Sequence, residues 1–533
     1  MAPATLFELF AASAERHPER IALEVQGEVL TYSELDDLVA GLATSMAERG
    51  DGRPKTVGLL ASRSLVAYAG YLAALRLGAA VVPLNPSFPS ARIRTIAATT
   101  KLDLIVADQA AAQQAELLFA PEAEPAEELG PALLTVTDPE LTRLRTGAPE
   151  NGRLAPVHPA SREDVAYILY TSGSTGRPRG VPIRHARVLP ALWWLIGNHD
   201  FGPEDRISQN VELSFDVAVY ELFATWAVGA ALVVPRPNDV FRPSAFVNAK
   251  RITHWFCVPS VGSIAARTGA LAPGSMPTLA GVMFGGERLL AEQARQWAEA
   301  APNSRLWNGY GPTEVAICCV EQPLGSLDSL KAPGSNGTLP IGRLPAHVEH
   351  VILDESGEPS QTGELCVRGD QRFDGYLDPA DDTGRFLLWS PGGRAVVHDG
   401  TTPLTKDHWY RTGDRVQVEG DSLVFLGRLD HQVKVRGQRI ELGEVDTALA
   451  RHPAVRDAVA VVHETELESV LVAYYAGEET PQAELTAFLR ELLPLYMVPG
   501  RITHLPELPL NANGKVDRTA ITARAAHGAG TGS

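Results

Sequence analysis

Residues 170–180 read Tyr-Thr-Ser-Gly-Ser-Thr-Gly-Arg-Pro-Arg-Gly. Small residues let a backbone approach a phosphate closely. Hydroxyls and main-chain N–H groups satisfy its oxygens, and arginine supplies the opposing charge. The loop follows directly on the strand-like run Val165 to Leu169. This is the chemistry of polyphosphate binding, with ATP the first choice. It is not a P-loop, because no Lys-Ser or Lys-Thr pair follows a glycine at the required spacing. A surface turn rich in Gly and Ser has the same composition, so the loop needs partners elsewhere in the chain.

Several polar turns could supply them. Asn308 to Glu314 reads Asn-Gly-Tyr-Gly-Pro-Thr-Glu and offers an amide, an aromatic ring, a hydroxyl and a carboxylate. Tyr410 to Asp414 is Tyr-Arg-Thr-Gly-Asp. Gly427-Arg428-Leu429-Asp430 precedes Gln432-Val433-Lys434-Val435-Arg436-Gly437, and Asn513-Gly514-Lys515-Val516-Asp517-Arg518 stands near the end. Magnesium favours one or two carboxylates plus phosphate oxygens, so Glu314 alone suffices as its protein ligand.

The elements that must position these groups read as an α/β protein. The apolar runs Val57–Leu60, Leu104–Val106, Val165–Leu169, Ala231–Val234 and Val282–Phe284 alternate with helical patterns such as Ala67 to Leu77 and Ala291 to Ala300. Segment 109–162 reads as a helix-containing surface excursion, and Ser390 to Lys406 as an exposed insertion. After about Leu423 the texture becomes that of a small α+β unit, with short strands and helices over Glu444–Arg451 and Pro481–Leu493.

Composition narrows the function. Hydrophobic residues make up 45% of 533, which suits a globular chain. The net charge of −17 argues against general nucleic-acid or anionic-membrane binding. Cys257, Cys318, Cys319 and Cys366 form no Cys-x-x-Cys pair, so neither a zinc site nor a disulfide framework is indicated, and a reducing cytoplasm is expected. No secretory signal is visible, and the apolar stretch from Phe223 to Val234 is too short to span a bilayer.

Taken in order, these segments resemble the adenylation domains of nonribosomal peptide synthetases, within the adenylate-forming superfamily of acyl-CoA ligases and luciferases. Leu30 to Leu35, Leu77 to Pro86, Gly363-Glu364-Leu365, Gly375-Tyr376-Leu377 and Leu493 to Pro499 match as well. The resemblance implies a large N-terminal core over residues 1–429, with β-sheets packed by helices. A small mobile α+β C-terminal domain over 430–520 would carry the catalytic lysine, and 521–533 would be a disordered tail. It implies a two-step reaction using ATP and Mg²⁺. A carboxylate attacks the α-phosphate and releases pyrophosphate; a thiol then takes the acyl group and releases AMP.

Residue roles follow from the resemblance. Lys515 would serve the first step, Thr313 would touch the α-phosphate, and Glu314 would hold Mg²⁺. Thr171, Ser172 and Thr175 would hold the outer phosphates, with Gly173, Ser174, Gly176 and Arg179 completing the loop; the family usually has lysine where Arg179 stands. Tyr310 would stack on adenine and Asn308 would pair with its amino edge, beside Gly286 and Glu287. Asp414 would hold the ribose with help from Arg428. Asp430 falls at the hinge, and Lys434 and Gly437 would line the thiol approach.

The acyl group is read from Asp216. A buried carboxylate is a natural partner for a substrate ammonium, although an Asp at a helix start has the same look. The matching pocket is Asp216, Val217, Tyr220, Phe256, Met283, Gly285, Gly309, Ile317 and Cys318. Its bulky members should shorten the pocket while Gly285 and Gly309 open space locally. It carries no second charge, so a small neutral amino acid is expected, L-alanine first. A β-amino acid carrier ligase and an acyl-CoA ligase for a small or aryl acid are the alternatives. Local similarity to D-alanine–carrier protein ligases is offset by Gly285, where those enzymes typically carry cysteine. The chain stops soon after Lys515, so a discrete carrier protein is expected to bring the thiol in trans, with coenzyme A as the other acceptor. Arg436, Arg439 and Arg451 are candidates for a basic docking patch.

Overall fold

The computed structural model describes residues 3–49, 53–119, 130–146, 157–158, 160–173, 177–327, 330–430, 432–464, 469–509, 516–518 and 520–522. Two largely parallel sheets carry most of the large unit. In the six-stranded sheet the order is Ala132–Val136, Leu104–Asp108, Thr56–Leu60, Ala80–Leu84, Val165–Thr171 and Arg179–Arg184, antiparallel only at the last pair. The eight-stranded sheet runs Val320–Gly325, Arg305–Tyr310, Gly281–Gly285, His254–Cys257, Arg206–Ser208, Ala231–Val233, Ile21–Val25 and Glu28–Thr31. Its inner pairs are parallel and its two outermost pairs antiparallel.

Between these sheets lie the helices Leu65–Arg76 and Asp216–Val228. Both are apolar around nearly their whole circumference and buried along nearly their whole length, as helices covered on two sides must be. They meet where the Tyr71 and Phe223 rings come within 5.8 Å. Thr171, Cys257, Gly285 and Tyr310 are the last residues of their parallel strands. Ligands of open α/β sheets bind beyond such carboxyl ends, so the phosphate loop and the Asn308–Glu314 turn open into one crevice.

A third, antiparallel sheet of six strands closes one side. It contains His408–Glu419 paired with Ser422–Arg428, and register sets Asp414 opposite Arg428. Ser422–Arg428 therefore belongs with the large unit, although the texture of the sequence changes near Leu423. Segment 109–162 contributes more than a surface excursion: Ala132–Val136 extends the six-stranded sheet as its edge.

The small unit begins with the hairpin Gln432–Val435/Gln438–Glu441. Its two-residue turn has positive φ at both Arg436 (52°) and Gly437 (75°), the geometry that matches strand twist. Helices Leu442–Leu449 and Gln482–Leu492 pack with the sheet of Val455–Glu464, Ser469–Gly477 and Arg501–His504. Ile521, placed by the sequence in the tail, is fully buried against Val459, Val472 and Leu508, so ordered structure reaches Thr522. Among the described residues no helix is long and apolar enough to cross a membrane.

The two units are pinned together by Arg92, in helix Ser90–Thr100, and Glu444, in helix Leu442–Leu449. Their side chains are 5% and 4% exposed and 2.7 Å apart. Breaking a buried pair by removing one partner costs about 3–5 kcal/mol. Arg92→Ala is expected to loosen this docking: amide hydrogen exchange rises over residues 88–96 and 442–449 while the parallel sheets keep their protection. Unchanged exchange in both stretches would mean the pair does not hold the units together.

Candidate active site

The phosphate-type loop leaves strand Val165–Thr171 and returns along Arg179–Arg184, with Thr171 opposite Arg179. Ser174, Thr175 and Gly176 lie outside the described residues, as does Lys515. A Cβ on Gly173 would meet the Arg177 carbonyl at 2.2 Å, so only glycine fits there. The Ser172 hydroxyl donates to the Arg439 carbonyl at 2.9 Å, tying the loop to the small unit. Arg179 is buried, 3.3 Å from Asp381 and 5.8 Å above the Tyr376 ring. Its charge is thus engaged at the base of the loop.

Glu314 is the electrostatic centre. It is 0% exposed. Tyr376 donates its hydroxyl at 2.8 Å, and Arg439 Nη1 donates to both carboxylate oxygens at 3.0 and 2.8 Å. Burial opposes its ionisation, but the Arg439 charge prevails and holds the carboxyl down at about 2. Arg439 is therefore no surface docking residue, contrary to the expectation from sequence; its side chain is 15% exposed and faces inward. Among the described residues no cluster of three metal-ligating side chains exists. Both Glu314 oxygens are taken by Arg439 in this arrangement; a buried carboxylate without that partner has the chemistry to hold a divalent cation together with phosphate oxygens.

One half of the crevice is a cavity of ≈ 520 Å³ lined by Gly286, Glu287, Asn308, Tyr310, Ile341, Phe425, Arg428 and Lys434. Asn308 Nδ2 donates to the Pro340 carbonyl at 2.8 Å. Its buried Oδ1 has no hydrogen-bond partner among the described residues. A buried acceptor left over beside an aromatic ring suits a flat base bearing an amino group. Tyr310 donates to Asp414. Asp414 also accepts from Arg428 Nη1 at 2.6 Å, and the same guanidinium grips Asp430 through Nε and Nη2 at 2.6 and 2.8 Å. Burial works against the Asp430 charge; the Arg428 hydrogen bonds outweigh it and bring the carboxyl to about 2. The residues present fit a nucleotide.

The other half is a smaller cavity of ≈ 140 Å³, lined by Asp216, Val217, Tyr220, Phe256, Met283, Gly285, Gly309, Ile317 and Cys318. The structure thus brings together every pocket residue expected from sequence. Asp216 is the first residue of its helix and 9% exposed. Burial lifts its carboxyl to about 6, against the Thr313 hydroxyl, the Val217 N–H and the Lys434 charge. Gly285 and Gly309 do not open space as expected. A Cβ on Gly309 would meet Met283 Cε at 2.5 Å, and one on Gly285 the Phe256 ring at 3.2 Å; the glycines admit these side chains, which shorten the pocket.

Gly437 and Glu287 join the two units over this cavity. The Gly437 N–H donates to Glu287 Oε1 at 2.7 Å, and Glu287 Oε2 accepts from the Ser260 N–H at 3.0 Å. A Cβ on Gly437 would come within 3.0 Å of Val258. Lys434 lines both cavities, 5.8 Å over the Tyr310 ring. Burial lowers its ammonium, with Asp414 and Asp216 opposing. Sequence reasoning missed Gln371, which is fully buried and donates to the Cys318 carbonyl at 2.9 Å. It braces Ala316 and Ile317, whose φ values of 49° and 74° are costly for residues with a Cβ. No spacing in the chain signals that brace.

Comparison with known proteins decides the family. Residues 10–377 match the AMP-binding enzyme family, and residues 444–515 match the AMP-binding enzyme C-terminal domain. The chain belongs to the AMP-binding enzyme family. Gramicidin S synthase 2 of Brevibacillus brevis is 31% identical over 97% of this chain, which spans about 11% of that protein's length. The crystal structure of IdnL7 is 36% identical, with 98% of this chain and 99% of that one covered and a TM-score of 0.68. The Vibrio cholerae adenylation domain AlmE, solved with glycyl-adenosine-5'-phosphate, is 25% identical over 98% of each chain with a TM-score of 0.80. Homologues of this AMP-binding protein are nonribosomal peptide synthetase adenylation domains.

The Arg439–Glu314 pair has a signed pH dependence. Glu314 lies below its ordinary 4.5. The stability it contributes is fully present above pH 4.5 and lost as pH falls through about 2. Arg439→Gln is expected to be less stable than the native protein at pH 7 in urea titrations. The gap should narrow progressively below pH 4.5; a gap independent of pH would show that the pair is not the source.

Proposed function

We propose that this protein activates a small neutral amino acid, L-alanine first, as its aminoacyl-adenylate and passes the acyl group to the phosphopantetheine thiol of a separate carrier protein. The observation that carries the reading is Asp216. It sets one carboxylate beside the apolar side chains Val217, Phe256, Met283 and Ile317 in the ≈ 140 Å³ cavity, which also has Asp414, Arg428, Lys434 and Arg439 in its lining and adjoins a nucleotide-sized one. An ammonium group satisfies that carboxylate, and the apolar side chains Val217, Phe256, Met283 and Ile317 beside it disfavour a charged substrate side chain. AlmE, an adenylation domain of the same fold, was captured with a glycyl adenylate, the product of such a reaction on the smallest amino acid.

In the first step a substrate carboxylate oxygen bonds to the α-phosphorus of ATP and pyrophosphate leaves. The proposed roles are these. Asp216 fixes the ammonium, Asn308 and Tyr310 the base, Asp414 the ribose, and Thr171 to Gly176 the outgoing phosphates. Thr313 and Lys515 steady the negative charge that builds at the α-phosphate. Mg²⁺, bound at Glu314, would supply further charge neutralisation there. In the second step a thiol sulfur bonds to the acyl carbon, the acyl C–O bond to the phosphate breaks, and AMP leaves while the thiol proton passes to solvent. The described arrangement suits this second step: Gly437 and Gly286 face each other with no side chain on either, beside the amino-acid cavity, and Arg439 holds Glu314, the carboxylate that would bind Mg²⁺ in the first step. Rotation about Asp430 would exchange this hairpin for Lys515.

Amino-acid-dependent pyrophosphate exchange over L-, D- and β-amino acids, with the same acids lacking the amino group, tests the reading. The expected result is exchange confined to small amino acids; exchange with fatty or aryl acids alone would sink it. The Michaelis constant for the amino acid should rise as pH falls below about 6, where Asp216 protonates. Asp216→Asn should raise it on the order of 10²-fold or more and remove the pH dependence. Lys515→Ala should slow adenylation roughly 10²–10³-fold yet still transfer from preformed adenylate. Near-normal exchange by that variant would discard the assignment.

A further inference from the structure

We propose that His199 and Glu321 set the depth of the amino-acid cavity, holding the Tyr220 ring in place as its end wall from one layer behind the substrate. The inference rests on the amino-acid reading above. Tyr220 lies one helical turn beyond Asp216 in Asp216–Val228, so the two share a face. It lines the ≈ 140 Å³ cavity and also a second, small cavity of ≈ 10 Å³, which His199 lines too. His199 does not reach the first cavity.

His199, the last residue of helix His185–His199, stands 2.6 Å by Nδ1 from the Tyr220 hydroxyl and 2.8 Å by Nε2 from Glu321 Oε1. Glu321 is in strand Val320–Gly325, and its other oxygen accepts from Asn198 Nδ2 at 2.8 Å. The His199 and Glu321 side chains are each 1% exposed. Burial pushes the Tyr220 phenol well above its ordinary range, so it keeps its proton. It donates to Nδ1, and Nε2–H donates to the carboxylate; each group has a partner. The Trp307 ring centroid is 4.5 Å from His199 and Phe201 is 6.0 Å from Tyr220.

Such an array is expensive to bury, since each polar group must be satisfied. Filling space alone would be met by a phenylalanine. What the array adds is direction: a ring tied at its hydroxyl cannot swing about χ1 to lengthen the pocket. His199 and Glu321 are thus positioning residues for substrate size.

The test is pyrophosphate exchange by the full chain with L-alanine, 2-aminobutyrate, L-valine and L-leucine, measuring kcat and KM for each. Tyr220→Phe keeps the ring and removes the tie; Glu321→Leu removes the tie from behind. Both are expected to lower the preference for the shorter over the longer amino acid about tenfold, within the range one methylene commands, through a lower KM for the longer one. Glu321→Gln, which still accepts from Nε2–H, should keep the native preference. If Glu321→Leu fails to fold, Tyr220→Phe, with its thermal melting checked, still decides. An unchanged preference in Tyr220→Phe, or equal losses for every substrate, overturns the anchor alone. Absence of amino-acid-dependent exchange in the native protein overturns the functional reading and this inference with it.

Discussion

A carboxylate cut off from water stays ionised most readily beside a cation, and Glu314 takes its cation from the other unit of the molecule. Its position is fixed by the turn after strand Arg305–Tyr310 and by the Tyr376 hydroxyl. Arg439 reaches it only because the hairpin Gln432–Glu441 lies across the crevice. The same placement brings the Gly437 N–H to Glu287 and the Arg439 carbonyl to Ser172. Three contacts along one hairpin thus depend on a single charge being satisfied. A divalent cation and a guanidinium cannot occupy the same two oxygens. Under the proposed chemistry, Glu314 changes partner whenever the hairpin comes or goes, and never stands unpaired.

The crevice is divided by size and polarity. The larger cavity has the amide of Asn308, the phenol of Tyr310 and the carboxylate of Glu287; the smaller sets Asp216 beside Val217, Phe256, Met283 and Ile317, with Asp414, Lys434 and Arg439 also in its lining. Lys434 stands at their border and feels both Asp414 and Asp216. The two sheets deliver this arrangement because parallel strands of similar length end at one edge. The glycines at those ends permit close packing. Gly309 admits Met283 and Gly285 admits Phe256, so small residues here produce a shorter pocket.

Much of the site was legible in the sequence because its residues sit in turns, where side-chain type reports directly on what a backbone bend must hold. The phosphate loop and the Gly311 to Glu314 turn are of this kind; Asp414, inside strand His408–Glu419, and the Asp216 pocket, on a helix and neighbouring strands, were legible only through the resemblance of the whole chain to a family. The strands Val165–Thr171 and Gly281–Gly285 were legible from apolar runs that covered sheets demand. What could not be read were pairings across distance. Arg439 and Glu314 are 125 positions apart, and an arginine in a hairpin looks the same whether it faces solvent or a buried acid. His199 and Glu321 carry no local pattern at all, and Gln371 acts on carbonyls, which no sequence displays. Ala132–Val136 is as apolar as its neighbour Leu104–Asp108, but it was hidden by the Ala/Glu/Pro-rich stretch around it, which reads as a surface excursion. Ile521 was hidden because one apolar residue beside a polar tail has no periodicity to reveal it.

Arg428 divides one planar group between two carboxylates, Asp414 in the lining of the smaller cavity and Asp430 at the junction of the units. Its Nη1 serves the first; its Nε and Nη2 serve the second. A guanidinium is rigid, so its two clients cannot move independently of each other. Gly413 leaves no room for compromise: a Cβ there would sit 2.6 Å from Nη2. The wall of the cleft and the joint of the molecule are therefore two ends of one short lever without slack, and whatever draws on Asp414 is felt at Asp430.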